Sequence, residues 1–230
     1  MSLGRRQFSI ILTQGIKAEL ADLERLISPV LFAITMLLLF AFAIGEVDET
    51  LRAHMYLAET FLTLFFALQL AFSRLFEPDR QDRVFDMMRS YPVSHTSWFL
   101  AKYILVIVMG LTTLIPTMLF GAFINQTART PLFSWSVLGI ASLALAGLAA
   151  LGVLLSALTL KATARQMLYP LIYFPLTTPV LLAAVQASLT VMEKSPDAGL
   201  TRSWLGLLLA FDVIYLTLGI LLYSELVDEG

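Results

Sequence analysis

Apolar residues run nearly uninterrupted near 29–45, 55–73, 98–123, 133–160, 167–191 and 203–224, and the short segments between these runs hold most of the charge. The hydrocarbon core of a bilayer is about 30 Å thick and a helix rises about 1.5 Å per residue, so one crossing takes roughly 20 apolar residues. The pattern therefore predicts an all-α polytopic membrane protein of about six transmembrane helices, with both termini on one side. The first run is short, and the third and fourth are long enough to tilt or to end in interfacial turns.

Ahead of the first run, Phe8, Ile11, Leu12, Ile16, Leu20, Leu23 and Leu26 or Ile27 recur at helical three-and-four spacing, with Arg5, Arg6, Lys17 and Glu24 around the other side. Residues 1–28 read as an amphipathic helix lying in the interface, or as a cytoplasmic helix packed on the protein. Ser28-Pro29 is expected to break it, because the residue before a proline disfavours helical geometry. Residues 29–224 then form a six-helix transmembrane domain and 225–230 a cytoplasmic tail. The sequence shows no internal repeat, low-complexity run or soluble domain.

Between the second and third runs, the segment from Arg74 to Ser97 is the longest predicted cytoplasmic loop, and it holds a short helix over about 79–91. The Asp79 carboxylate can cap free amides there, with Asp82 three residues on, and Pro92 ends the helix. Val84, Phe85 and Met88 make an apolar strip beside Arg80, Asp82, Arg83, Asp86 and Arg89. Such a helix suits a protein partner, as a coupling helix would, or it rests on the lipid headgroups.

Composition narrows the classes further. With 58% hydrophobic and 14% charged residues and a mean hydropathy of +0.82, the 230-residue chain has more apolar surface than a soluble domain buries. The sequence contains no cysteine, which excludes a disulfide framework, a thiolate metal site, a thiol nucleophile and covalent haem attachment. Net charge is −2, and Lys and Arg are scattered through short loops, so nucleic acid is not an expected partner. If the termini are cytoplasmic, the opposite side keeps Arg52, Arg129, Lys194 and Arg202 of the 15 Lys and Arg, an asymmetry that the positive-inside rule rewards. A cleaved signal peptide would place an apolar core directly after a few basic residues, so the mixed stretch before residue 29 predicts a retained N-terminus.

Few side chains offer chemistry. Asp212 falls near the middle of the last run, where a charge is expensive and marks either a functional group or an assembly contact. Glu59 and Gln69 lie nearer the ends of the second run, where water or headgroups are expected to solvate them. Pro170, Pro175 and Pro179 interrupt the fifth run, which is expected to kink or break, with Tyr169, Tyr173, Thr177 and Thr178 at hand for the freed carbonyls. Tyr173, Pro175, Thr178, Pro179 and Asp212 are thus candidates for a transmembrane pathway, although prolines also serve packing. Ser142, Ala146 and Ala150, then Gly152 and Ser156, give the fourth run a small-residue stripe suited to close helix packing. His54 and His95 are separated by a span and cannot share a metal, and no phosphate-binding loop, zinc-protease pair or nucleophile elbow occurs. No catalytic residue and no metal ligand is expected, so energy must come from a partner.

An amphipathic N-terminal helix, six spans and an amphipathic helix between the second and third together resemble the membrane subunit of an ABC-2-type exporter. The stretch Ala71-Phe-Ser-Arg-Leu-Phe-Glu-Pro-Asp-Arg-Gln-Asp, then Tyr91-Pro-Val and Ala101-Lys102, resembles the CcmB family, haem exporter protein B of cytochrome c maturation. Phe174-Pro-Leu-Thr-Thr-Pro-Val-Leu-Leu is similar to that family's Pro-Leu-Thr-x-Pro segment, and length and span count agree from end to end. The loop departs from the family's acidic, Gly- and Ser-containing continuation at Arg83-Val84-Phe85-Asp86.

The resemblance implies a bacterial inner-membrane complex with a CcmA-like ATPase, CcmC-like and CcmD-like membrane subunits and a CcmE-like haem chaperone, with two copies of this chain. ATP would be bound by the partner, no cofactor by this chain, and haem would be the candidate cargo or leave with its loaded chaperone. The coupling interface would be Asp79, Arg80, Asp82, Arg83, Val84, Phe85, Met88 and Arg89. The chain has no tryptophan-rich haem-handling motif and no pair of axial histidines. An ABC-2 permease for a drug, lipid or glycan would share the topology but not the Phe-Glu-Pro-Asp-Arg-Gln-Asp loop, and a scaffold acting without ATP would bind some other protein through residues 79–91.

Overall fold

Seven helices form among the residues that the computed structural model describes, which are 3–45, 48–74, 94–125, 134–158, 165–192 and 197–228. They are α1 Leu3–Ala21, α2 Leu23–Ile44, α3 Glu49–Arg74, α4 His95–Ile124, α5 Trp135–Leu158, α6 Arg165–Met192 and α7 Ala198–Asp228. Five of them, α2 and α4 to α7, contain stretches long and apolar enough to cross a membrane. At 26 residues, α3 reaches about 39 Å at 1.5 Å per residue, and it turns the polar side chains of Glu59, Thr60 and Thr63 into the protein. The expected helix at about 79–91 and Pro92 lie outside the described residues.

From α2 onward, successive helices run in alternating directions, and α5 stands at the centre with α3, α4, α6 and α7 around it. Every residue from Gly147 to Ala157 of α5 is buried. Small side chains make this possible, since lipid supplies no hydrophobic force between helices and association rests on close van der Waals contact. A Cβ at Gly152 would come within 2.7 Å of the Phe72 ring, and one at Gly147 would fall on the Asp212 carboxylate. The two glycines thus admit α3 and α7 at their closest approach. Ser156 Oγ then donates to the Phe72 carbonyl at 3.1 Å, one of the last carbonyls of α3, which helical bonding leaves unpaired. Tyr56 likewise ties α3 to α4 by donating to the Met118 carbonyl at 3.2 Å. Outward, Leu31, Leu39 and Phe42 of α2 and Leu209, Val213 and Leu221 of α7 are exposed, as surfaces that face acyl chains should be.

The first helix differs from expectation in where it ends. The chain leaves helical geometry at Asp22, with φ −109° and ψ 83°, and Ser28-Pro29 lies inside α2. The elbow is fixed by charge: Arg25 Nε meets Asp22 Oδ2 at 2.8 Å and its Nη1 reaches Glu19 Oε1 at 3.7 Å. Pro29 stays helical because a membrane helix has no water to take over its backbone bonds, and one lost bond costs less than a break in the ladder. Upstream of the elbow, α1 packs along the first half of α4, where Gln7 Oε1 accepts from the Ser94 amide at 3.2 Å and Gly15 sits against Leu105. Its Ile10 and Leu20 remain exposed, so the helix is both docked on protein and greasy outside.

The fifth predicted span also differs, since α6 is one unbroken helix from Arg165 to Met192 with all three prolines inside it. Pro175 and Pro179 free the carbonyls of Leu171 and Pro175. The threonine hydroxyls go elsewhere: Thr177 donates to Tyr173 and Thr178 to Phe174, both at 2.8 Å.

Substituting Gly152→Ala is expected to cost about 1–3 kcal/mol through overpacking against Phe72. Gly206→Ala, which meets nothing within 4 Å, should be neutral or stabilising by up to about 1 kcal/mol. Thermal unfolding of both variants in one detergent checks the contrast.

Candidate functional site

The seam between α3 and α6 is aromatic. Phe65, Phe66 and Phe72 of α3 meet Tyr169, Tyr173 and Phe174 of α6, because residues spaced by about one or two turns share a helix face. Phe65 stacks on Tyr173 at 5.5 Å and 4°, Tyr169 stacks on Tyr173 at 5.2 Å, and Phe72 meets Tyr173 edge-on at 5.9 Å. Phe174 completes the cluster at 5.4 Å from Phe65 and 6.0 Å from Phe66. Each such pair is worth about 0.5–1.5 kcal/mol beyond area burial. Tyr173 is fully buried at the middle of the cluster, and its hydroxyl has no hydrogen-bond partner.

On its other side α6 is held by α7, where the Tyr215 hydroxyl donates to the Leu176 carbonyl at 2.7 Å. One turn earlier on α7, Asp212 lies against Gly147 of α5, which Val180 of α6 also approaches, and its Oδ1 has no hydrogen-bond partner. Pro175 and Thr178 face outward and are exposed, and Pro179 is half-buried. The structure therefore divides the pathway set: Tyr173 and Asp212 enter the bundle at different contacts, and Pro175 and Thr178 leave it. These residues do not converge on one site, and the eight expected coupling residues, Asp79 to Arg89, lie outside the described residues.

A second polar group was not apparent from the sequence. Around the elbow, Glu19 of α1, Asp22, Arg25 of α2 and Lys102 of α4 come together, with Glu19 and Lys102 both buried. Lys102 Nζ also sits 5.6 Å from the Trp98 ring centre, within reach of a cation–π attraction. Burial is the largest influence on Glu19 and pushes its carboxyl above the ordinary 4.5, while Arg25 and Lys102 pull it back. Glu59 is likewise misjudged as solvated: it is 7% exposed and its Oε2 has no hydrogen-bond partner. The signal was present, because Tyr56, Glu59, Thr60 and Thr63 share one helix face, which marks an inward polar stripe.

Among the described residues no group of three His, Asp or Glu side chains is placed to hold a metal. The model of one family, described as CcmB protein, matches residues 6–225. The chain belongs to the CcmB family. No curated protein matches the sequence. CcmB-family chains are membrane subunits of the haem-exporting ABC transporter of cytochrome c maturation, so this chain is a multi-pass membrane protein that works with other components of that transporter. In this chain the aromatic seam falls on the Phe174-Pro-Leu-Thr-Thr-Pro segment, and the elbow holds the lysine of Ala101-Lys102.

Two outcomes follow for these contacts. Tyr173→Phe removes a buried hydroxyl without a partner and should leave stability unchanged or raise it by about 1 kcal/mol, whereas Tyr173→Ala should cost about 3–5 kcal/mol; thermal unfolding separates the two. Glu19 has a raised folded pKa, so its contribution to stability is full below pH 4.5 and is lost as the pH rises through the higher folded value. Melting temperatures from pH 4.5 to 8 should fall more steeply with pH for wild type than for Glu19→Gln.

Proposed function

We propose that this chain is the non-catalytic coupling subunit of its transporter, converting ATP hydrolysis in a CcmA-like partner into movement of membrane helices. In this reading it lies in the bacterial inner membrane with both termini cytoplasmic, and two copies stand side by side. ATP binds the partner, and this chain holds no cofactor. CcmC-like and CcmD-like subunits and a CcmE-like haem chaperone complete the assembly, and the stroke exports haem or releases the haem-loaded chaperone.

The observation that carries the reading is the continuity on both sides of residues 75–93. That segment joins α3 to α4. Through its aromatic seam α3 grips α6, while α4 carries α1 on the Gln7–Ser94 bond and the buried pair Glu19 and Lys102. A push delivered by an ATPase to the apolar strip Val84, Phe85 and Met88 would therefore reach α1, α3, α4 and α6 at once. Asp79, Arg80, Asp82, Arg83 and Arg89 would supply the charged rim of that interface.

Retention of the ATPase on the detergent-solubilised chain tests this. Wild type should hold it, and the double variant Arg83→Glu, Phe85→Asp should lose at least about tenfold in affinity, the effect of roughly 1.4 kcal/mol, while melting at the same temperature. A wild-type chain that retains no ATPase overturns the coupling role.

A further inference from the structure

At the end of the bundle away from α1, a cavity of about 70 Å3 is lined by Ala41, Ile44, Gly45, Arg52, Met55, Glu59, Ile124 and Asn125. One water needs roughly 10–15 Å3 of such space, so a small solvated ion fits. Its geometry follows from where the helices stop. The C-terminal ends of α2 and α4, Ile44–Gly45 and Ile124–Asn125, both reach it, while α3 starts at this end, with Arg52 in its first turn and Glu59 deeper.

Helix C-termini gather unpaired carbonyls and the negative end of the dipole, roughly half a charge each. Two of them beside a buried carboxylate make a field that favours a cation. Arg52 on the wall offsets Glu59, and the N-terminus of α3 offsets one of the two helix C-termini, which leaves the equivalent of about half a negative charge. Glu59 lines the cavity, is more than nine-tenths buried, and its Oε2 has no hydrogen-bond partner. Asn125 commits its amide nitrogen to the Gly121 carbonyl at 3.1 Å, which leaves its amide oxygen to accept or to ligate. Oxygen ligands with a single carboxylate suit a compact monovalent cation, and the resident Arg52 opposes a second positive charge.

We propose that this cavity binds one compact monovalent cation, an alkali ion or a primary ammonium group, with Glu59 as its charged ligand and the ends of α2 and α4 as its carbonyl donors. The bound ion ties α2 and α4 to α3 at the end of the bundle opposite the ATPase side.

The test is thermal unfolding of the full chain in detergent at constant ionic strength, set with choline chloride and exchanged stepwise for potassium, sodium or ethylammonium chloride. Wild type should show a saturating rise in melting temperature with at least one of the three, and Glu59→Gln should show none. Glu59→Gln should melt no lower than wild type in choline chloride, since it removes a buried charge at constant shape. A response to potassium or sodium alone identifies an inorganic ion, and one to ethylammonium an amine. A wild type that responds to none of them, or a response that Glu59→Gln retains, overturns the proposal.

Discussion

The contacts of Gly147 with Asp212 and of Gly152 with the Phe72 ring bring α7 and α3 nearer to α5 than any side chain at either position would allow. In lipid this closeness is the main source of association, because separating two apolar helices exposes them to a solvent as apolar as themselves. The other seams inherit their geometry from it. With Phe72 pressed on α5, the neighbouring turns of α3 face α6, and Phe65 can lie flat on Tyr173. With α7 pressed on the same helix three residues before Tyr215, the Tyr215 hydroxyl comes within 2.7 Å of the Leu176 carbonyl. The central helix thus acts as a template on which three others are registered.

The buried polar groups occupy what this registration leaves. In a membrane interior an unpaired carboxylate is costly, yet Asp212 and Glu59 each keep an oxygen without a protein partner. The elbow charges differ, because Glu19, Asp22, Arg25 and Lys102 neutralise one another where α1 meets α4. Charge therefore sets the elbow at the end of α1, and shape fastens the core.

Much of this was legible beforehand, for a physical reason. An apolar run long enough to span leaves its mark on composition alone, so the spans near 98–123 and 203–224 coincide with α4 and α7 to within a few residues. The small-residue stripe from Ser142 to Ser156 marked the central helix, because close packing in lipid demands small side chains. Ser28-Pro29 misled, since the break at Asp22 is held by Arg25, which pairs with Asp22 itself and with Glu19 on the far side, and proline in a membrane helix is weaker punctuation than in water. The three prolines of α6 misled in the same way. Glu59 misled because position along a span says how deep a group lies and nothing about which way it faces. Of the pathway candidates, Tyr173 and Asp212 did point inward, but the sequence had no means to separate them from the outward Pro175 and Thr178. That separation is a property of neighbours and not of the helix itself.

The division between shape and charge bears on how such a chain would move. The core of α3 to α7 is registered by glycine contacts, those of Gly110 with Leu145 and Gly219 with Phe99 included, by a flat aromatic stack and by a tyrosine hydrogen bond, all of which weaken steeply with small displacements, so these helices should shift together. The join between α1 and α2 is different, because a single non-helical residue, Asp22, separates two long helices and the restraint there is ionic. Ion pairs tolerate small displacements better than close-packed rings, since Coulomb energy falls only as the inverse of distance. A displacement of this core would accordingly carry α1 with it through α4 and be taken up as a change of angle at the elbow, leaving the aromatic seam of α3 and α6 intact. The joint and the core are then complementary: one lets the angle between α1 and α2 change, and the other keeps the packed helices in register.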